Sequence, residues 1–139
     1  MPIVTDDASL RRILTETRSL LVLGAKDSSS EAAYYVPAYL QLRGFRVQGV
    51  NPKLAGTEWL GRPAVASLAE ADAADVIEVF RRADALPEIA REILGLPWRP
   101  AAVWFQLGIQ HDEAAQALSE AGIAVVQNRC VMPEHRRLT

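Results

Sequence analysis

Residues 21–28 read Leu-Val-Leu-Gly-Ala-Lys-Asp-Ser, so a strand-like apolar run passes through a glycine into small, charged and hydroxyl side chains. A glycine lets the backbone turn sharply and lets a ligand approach the main chain closely. The unpaired N–H groups at the start of a following helix attract negative charge. The pattern therefore predicts a phosphate-binding turn. Its residues are Gly24, Ala25, Lys26, Asp27 and Ser28.

Three more groups of residues follow apolar runs further along the chain, and their chemistry also suits a phosphorylated ligand. A lysine ammonium attracts phosphate oxygens, and an arginine guanidinium can hold two of them at once. We expect Lys53, Arg81 and Arg82 to act in this way, and we expect Phe80 to pack against an adenine ring. The full set of these candidates is Asn51, Pro52, Lys53, Val79, Phe80, Arg81, Arg82 and Gln106.

The elements that must position these groups alternate between strands and helices. Apolar runs predict strands at 19–23, 45–50, 64–66, 74–80, 101–105 and 122–126. Apolar residues at helical spacing predict helices at 7–17, 28–43, 84–94 and 112–121. Ser28 and Glu31 have the spacing of a capping box, whereas Pro37 predicts either a kink in the second helix or a later start. The polar tail, 127–139, is expected to be irregular.

Strands that alternate with helices through short turns are typical of a parallel sheet with right-handed crossovers. The sequence thus predicts an α/β fold: a doubly wound, mostly parallel sheet with helices on both faces, forming one domain over residues 1–139. In such a sheet, ligands bind beyond the carboxyl ends of the strands, near the point where the strand order reverses. The candidate residues follow predicted strands, so this fold would bring them to one edge.

The composition of the chain limits the classes of function that it can have. Of 139 residues, half are hydrophobic and 23% are charged, with a formal net charge of −2, so we expect a compact core and no large nucleic-acid surface. The single cysteine, Cys130, excludes an internal disulfide. The N-terminus shows no secretory signal pattern, and no apolar run is long enough to span a bilayer. We therefore expect a cytoplasmic protein without a membrane partner.

The residues leave two kinds of nucleotide open. A dinucleotide fingerprint would have the pattern G-x-G-x-x-G and an acidic residue at the end of the second strand. This chain has only Gly24 in register, and its second strand ends in Asn51-Pro52-Lys53. A cation at that position suits an additional phosphate on the ribose. Both NADP and coenzyme A carry such a phosphate.

Many ordered motifs resemble one known family over nearly the whole chain. They are found at residues 22–25, 44–47, 50–53, 56, 60–61, 79–82, 104–108, 113–115, 121–122 and 128–130. In these motifs the chain resembles the small CoA-binding proteins, which are similar to the Rossmann-type CoA-binding domain of the succinyl-CoA synthetase alpha subunit. The resemblance implies that CoA is held by its ADP portion. It also implies that the turn after Gly24 holds the pyrophosphate and that Lys53 lies near the phosphorylated ribose.

Two features depart from that family. Lys26-Asp27 stands where the family commonly has a serine, and an aspartate would repel phosphate unless its side chain points away. The catalytic histidine of the synthetase lies in a second domain. We expect this chain to end before such a domain could begin. Since no His-Cys, Ser-His-Asp or paired-carboxylate constellation is present either, we expect a non-catalytic binding module.

Other interpretations remain open at this stage. The chain is alternatively an NADP-dependent oxidoreductase, or an interaction protein with a degenerate nucleotide site whose cleft is closed or filled by side chains. Cys130 follows a cation, Arg129, and is either a reactive thiol or a structural residue. His111 and His135 have no partners at metal-ligand spacing, so we expect no metal site.

Overall fold

The computed structural model describes residues 3–139, so Met1 and Pro2 of the predicted domain lie outside the described residues. Seven strands are assigned: β1 Ser19–Leu23, β2 Arg46–Val50, β3 Glu58–Trp59, β4 Arg62–Pro63, β5 Val76–Val79, β6 Ala102–Phe105 and β7 Ala124–Val126. Five helices accompany them: α1 Asp7–Glu16, α2 Ala32–Leu42, α3 Leu86–Leu94, α4 Asp112–Glu120 and α5 Val131–Leu138. Short 3₁₀ turns occur at Pro52–Leu54, Leu68–Glu70 and Ala83–Ala85.

Five of the strands form one parallel sheet in the order β2-β1-β5-β6-β7. All five residues of β1 are buried, as are all residues of β5, β6 and β7. Continuous burial is expected where helices cover both faces of a parallel sheet. The predicted doubly wound α/β fold is therefore confirmed.

The two faces of the sheet carry separate apolar clusters. Helices α1, α2 and α5 cover one face, where Leu10, Val36 and Val131 pack with Trp104 of β6. Helices α3 and α4 cover the other face, where Ile93 and Leu118 pack with the alternate residues of the same strands. The strands are thereby fixed on both sides, so the loops at their carboxyl ends rest on a rigid base.

The tail of the chain departs from the sequence-based prediction. Residues 131–138 form helix α5 rather than an irregular segment. Val131 and Leu138 are buried, and the Arg137 guanidinium donates hydrogen bonds to Asp7 at 2.8 and 3.0 Å, which joins α5 to α1. Pro133 lies in the first helical turn, where its missing N–H costs no intrahelical bond. Tertiary packing, rather than a regular apolar stripe, specifies this helix.

The capping box predicted at the start of the second helix is also wrong. Helix α2 begins at Ala32, and Glu31 is its N-cap residue without a side-chain capping bond. The Ser28 hydroxyl instead lies 3.0 Å from the Ser30 hydroxyl. The later start is the alternative that Pro37 predicted, and Pro37 itself lies inside the helix.

The segment between β2 and β5 contains a small hairpin that the sequence did not predict. Strands β3 and β4 pair antiparallel, Trp59 opposite Arg62. The strand predicted at 64–66 is reduced to a single parallel bridge between Val65 and Val50. The consequence is that Trp59 is brought back against the first strands of the sheet.

Candidate functional site

The candidate site is a cleft of about 460 Å³ at the carboxyl edge of the sheet. The chain leaves β1 toward β2 on one side and reaches β5, β6 and β7 on the other, so the strand order reverses beside β1. Ligands of open α/β sheets bind at such a reversal. The predicted site residues in the wall of this cleft are Lys26, Phe80, Arg81, Arg82 and Gln106.

Gly24 makes the turn after β1, in a conformation that requires glycine. Its φ is +89°, a value that L side chains rarely adopt. A Cβ at this position would lie 2.4 Å from the Phe80 carbonyl oxygen and 2.9 Å from Cδ of Arg81. The close approach at Gly24 is therefore an approach of the chain's own backbone. The sequence predicts that this glycine leaves room for a ligand, whereas in the structure the space beside it is taken by the Phe80 main chain and the Arg81 side chain.

Two side chains from elsewhere in the sequence hold the carbonyl groups of this turn. The Asn51 amide donates to the Ala25 carbonyl at 2.8 Å, and the Trp59 indole donates to the Lys26 carbonyl at 2.7 Å. The Asn51 side-chain oxygen, Oδ1, also accepts a hydrogen bond from the Lys53 N–H at 2.9 Å. Asn51 thus positions the two loops relative to each other, and Ala25 is fully buried between them.

Trp59 itself is held in place by its neighbours. It is 1% exposed, and its ring meets that of Tyr34 in α2 edge to face, with 6.3 Å between the centroids. A Cβ on Gly49 of β2 would lie 2.8 Å from the indole ring, so only glycine admits the ring at this distance. The predicted site included neither Trp59 nor Gly49, because nothing in the sequence around them indicates a ligand.

The N-terminus of α2 faces the cleft with unpaired donors. Ala32 and Ala33 lie in the cleft wall, and their N–H groups have no hydrogen-bond acceptor within residues 3–139. The same holds for the N–H groups of residues 27–30 in the turn before the helix. Unpaired N–H groups at the positive end of a helix form an anion-binding site.

Three cations and one carboxylate stand around these donors. Lys26, Arg81 and Arg82 line the cleft together with Glu31. The Arg82 guanidinium lies 2.8 Å from Asp84, but both side chains are largely exposed, so this ion pair contributes little to stability. The balance of charge favours an anionic ligand, although Glu31 opposes it.

The remaining predicted residues lie at the margin of the cleft or beneath it. Asp27, Ser28, Pro52 and Lys53 are exposed and are not part of the cleft wall. Val79 is fully buried in the cluster beneath α3 and α4, so its side chain points away from the edge. Lys53 lies in the 3₁₀ turn that follows β2, the strand next to β1.

A buried carboxyl group, missed by the sequence analysis, lies below the cleft. Glu78 of β5 is 0% exposed, and neither of its carboxyl oxygens has a hydrogen-bond partner among the described residues. It pairs in register with Val22 and Trp104 in the middle of the sheet. Burial raises its pKa to about 8, so the carboxyl is neutral at neutral pH. The signal was present in the sequence as one acidic residue inside an apolar run.

Cys130 forms another part of the cleft wall. It is the N-cap residue of α5 and is partly buried. Burial raises the pKa of its thiol, while the Met132 backbone N–H and the Gln106 side chain act to lower it. Gln106 is only 4% exposed, and its side-chain oxygen has no hydrogen-bond partner in the part of the chain that the structure describes.

Other features of the described residues are weaker candidates for a ligand-binding site. A hollow of about 190 Å³ lies near Ser19 and Arg46 at the amino ends of the strands, the edge at which open α/β sheets do not bind ligands. Within residues 3–139, no three His, Cys, Asp or Glu side chains group together as metal ligands would. None of the helices described is long and apolar enough to cross a membrane.

Known proteins resemble this chain in sequence and in structure. Residues 18–136 match a family described as CoA binding domain. The uncharacterized protein YneT of Bacillus subtilis is 33% identical over 129 residues, which cover 92% of this chain and 93% of that protein. A solved Thermus thermophilus structure, cell-free ID.343, is 46% identical with a TM-score of 0.91, over 97% of this chain and 100% of that one. A hypothetical protein from Pyrococcus horikoshii OT3 is 31% identical with a TM-score of 0.87, over 99% and 96%.

Proposed function

The chain belongs to the CoA binding domain family, and from that premise we propose that it binds coenzyme A or an acyl-CoA through the ADP portion of the molecule. The observation that carries the proposal is the N-terminus of α2, whose first N–H groups have no acceptor among residues 3–139 and face a cleft that also holds Lys26, Arg81 and Arg82. A pyrophosphate placed there would accept hydrogen bonds from the main chain and neutralise the cations.

The rest of the nucleotide would extend along the edge of the sheet from this point. Toward β2, the exposed Lys53 suits the phosphate on the ribose of CoA. Asn51 and Pro52 would fix that lysine, because the Asn51 side chain holds both the Lys53 N–H and the turn after β1. Phe80 offers an aromatic ring for the adenine or the pantetheine arm. Asp27 and Ser28 would border the pyrophosphate from the solvent side.

The pantetheine arm would run the other way, toward Gln106 at the end of β6. The cleft continues in that direction, so the thiol or acyl end of the ligand would lie farthest from the charged groups. We propose a binding module rather than an enzyme with turnover, since the cleft wall presents no acid–base pair or triad that would convert the ligand. We also propose that the protein is cytoplasmic and binds neither nucleic acid nor membrane. Cell fractionation would test its location and its association with membranes.

The proposal is tested by titrating the purified protein with CoA, dephospho-CoA, NADP and NAD by calorimetry in one buffer. We expect saturable binding of CoA that is tighter than binding of the other three. A preference for NADP would instead support the oxidoreductase interpretation. Absence of binding by all four ligands would favour an interaction protein and would overturn the proposal.

A further inference from the structure

Cys130 stands where two hollows of the surface meet. One is the cleft described above, and the other is a groove of about 720 Å³ whose walls include Thr5, Gln127 and Glu134. Cys130 and Leu107 belong to the walls of both. Cys130 therefore borders both hollows.

Hydrogen bonds fix the segment that precedes Cys130. The Trp104 indole donates to the Arg129 carbonyl at 2.8 Å, and the Arg129 guanidinium donates to Glu134 of α5 at 3.0 Å. Asn128, with a φ of +55°, accepts the Gly108 N–H at 2.7 Å through its side chain. These contacts join the segment before α5 to β6 and to the loop after it.

Two buried polar side chains near this thiol have oxygens without hydrogen-bond partners among the described residues. Gln106 lines the cleft with Cys130, is 4% exposed, and carries a side-chain oxygen that no described residue satisfies. Beneath it lies Glu78, which is fully buried and whose two carboxyl oxygens have no hydrogen-bond partner within residues 3–139. Buried polar atoms in native proteins usually have partners, and an exception calls for an explanation. A ligand group with its own donors, such as the amides of a pantetheine arm, would supply the partner that Gln106 lacks.

The groups around Cys130 act on its thiol in opposite directions, and burial, which raises the thiol pKa, is the largest of these effects. Cys130 precedes the first turn of α5, where the Met132 N–H and the Gln106 side chain interact with its sulfur and favour a thiolate. Burial and the charge of an ionised Glu78 oppose the thiolate. Since Glu78 is neutral until about pH 8, its opposition is small at neutral pH.

A pantetheine arm is long enough to span the carboxyl edge of the sheet from the turn after β1 to the loop after β6. The turn after β1 and the loop after β6 are two strands apart, which is about 10 Å at the usual strand spacing. An extended pantetheine arm exceeds that length. A pyrophosphate at the N-terminus of α2 would thus leave the sulfur end of the ligand within reach of Cys130.

We propose that Cys130 accepts the acyl group of an acyl-CoA bound in the cleft. The Cys130 sulfur attacks the thioester carbonyl, a new sulfur–carbon bond forms, and the bond between that carbon and the CoA sulfur breaks. The proton of the Cys130 thiol ends on the CoA sulfur through solvent, so the products are acyl-Cys130 and free CoA. One thioester replaces another, and no oxidant is required. This inference rests on the proposed function, and it makes the binding module a covalent carrier without turnover.

The test uses the full chain with acetyl-CoA and follows the intact mass of the protein. We expect a single acetyl adduct that saturates with acetyl-CoA, that maps to Cys130, and that added CoA removes. The matched donor is S-acetyl-N-acetylcysteamine, which carries the same thioester without the nucleotide. Because binding raises the local concentration of the acyl group, acetyl-CoA should react at least about tenfold faster than this donor at equal concentration.

The experiment distinguishes failure of the acyl transfer from failure of CoA binding. Calorimetry on the same sample reports acetyl-CoA binding independently of the adduct. Binding without an adduct would overturn the transfer and leave CoA binding intact, whereas neither binding nor adduct would overturn both. Equal rates with the two donors would show that binding of the nucleotide does not promote the transfer, and an undiminished adduct in Cys130→Ala would show that the acyl group is not on this thiol; either result would overturn the proposal.

Discussion

At the scale of single residues, Gly24 combines a left-handed backbone with a collision that any side chain would meet. We predict that Gly24→Ala destabilises the fold by more than about 3 kcal/mol, because the new Cβ would meet the Phe80 carbonyl oxygen, which cannot move without disturbing β5. Urea unfolding measures this loss. Gly56→Ala is the matched control: its φ is +82° but no atom lies within 4 Å of the added Cβ. It should cost only about 1–2 kcal/mol. Equal losses would contradict the collision.

Lys53 allows the ribose phosphate to be tested separately from the rest of the nucleotide. We predict that Lys53→Ala weakens CoA binding by about 1–2 kcal/mol, the value of one charge-assisted contact, and leaves dephospho-CoA binding unchanged. Calorimetry with the two ligands measures the difference. Arg12→Ala removes an exposed cation of α1 as the control for net charge. Equal weakening of both ligands would remove Lys53 from that role.

Glu78 makes stability depend on pH. Its pKa is 4.5 in ordinary surroundings and about 8 in the fold, so the folded state binds the proton more tightly. The stabilisation that this difference gives is fully present below about pH 4.5 and is lost as the pH rises through 8. It amounts to several kcal/mol, on the order of 5 at most.

We predict that Glu78→Gln flattens this pH dependence. The free energy of unfolding of the parent protein should fall more steeply between pH 5 and pH 8 than that of the variant, as denaturant titrations at several pH values would measure. Glu92→Gln makes the same chemical change on an exposed site of α3 and should retain the parent slope. Parallel slopes for parent and Glu78→Gln would show that the buried carboxyl does not titrate in this range.

At the scale of elements, the N-terminus of α2 and its N-cap residue act against each other. The free N–H groups favour an anion, whereas the Glu31 carboxylate in the same wall repels it. We predict that Glu31→Gln tightens CoA binding by about two- to fivefold, in line with the value of one charge at a helix end. The gain should shrink as salt is added, because salt screens charges that are exposed. A weaker affinity in this variant would place the phosphates elsewhere.

The elements also show how far sequence reasoning extends. The bounds of β1 were predicted to the residue, because a short run of branched apolar side chains ending in glycine has few other solutions in a parallel sheet. Helix α5 was missed, because its specification lies in contacts of Val131 and Arg137 with distant elements. For the same reason the turn after β1 was predicted without the Trp59 and Asn51 side chains that hold it. Patterns within one segment are visible in a sequence, whereas partners far along the chain are not.

At the scale of the whole molecule, the cleft is supported by a sheet that is packed on both faces. We predict that CoA raises the unfolding midpoint of the entire chain in one transition. The expected gain is about 2.7 kcal/mol when free CoA is a hundred times its dissociation constant. Thermal unfolding followed by circular dichroism and by intrinsic fluorescence would measure it. Coincident transitions would also support the predicted single domain, and two separate transitions would contradict it.

The hairpin of β3 and β4 limits how the turn after β1 can be transferred to another protein. The turn after β1 owes its shape to an indole that comes from 33 positions later in the chain and that fits only above a glycine of β2. A graft of residues 21–28 into another parallel sheet would carry the glycine and the lysine but not the anchor. The turn after β1 is thus transferable only as a unit that extends from β1 through the hairpin and includes the start of α2, and the cleft also needs the segments that follow β5 and β6. Recombination within that stretch would break it even where every ligand-facing residue is retained.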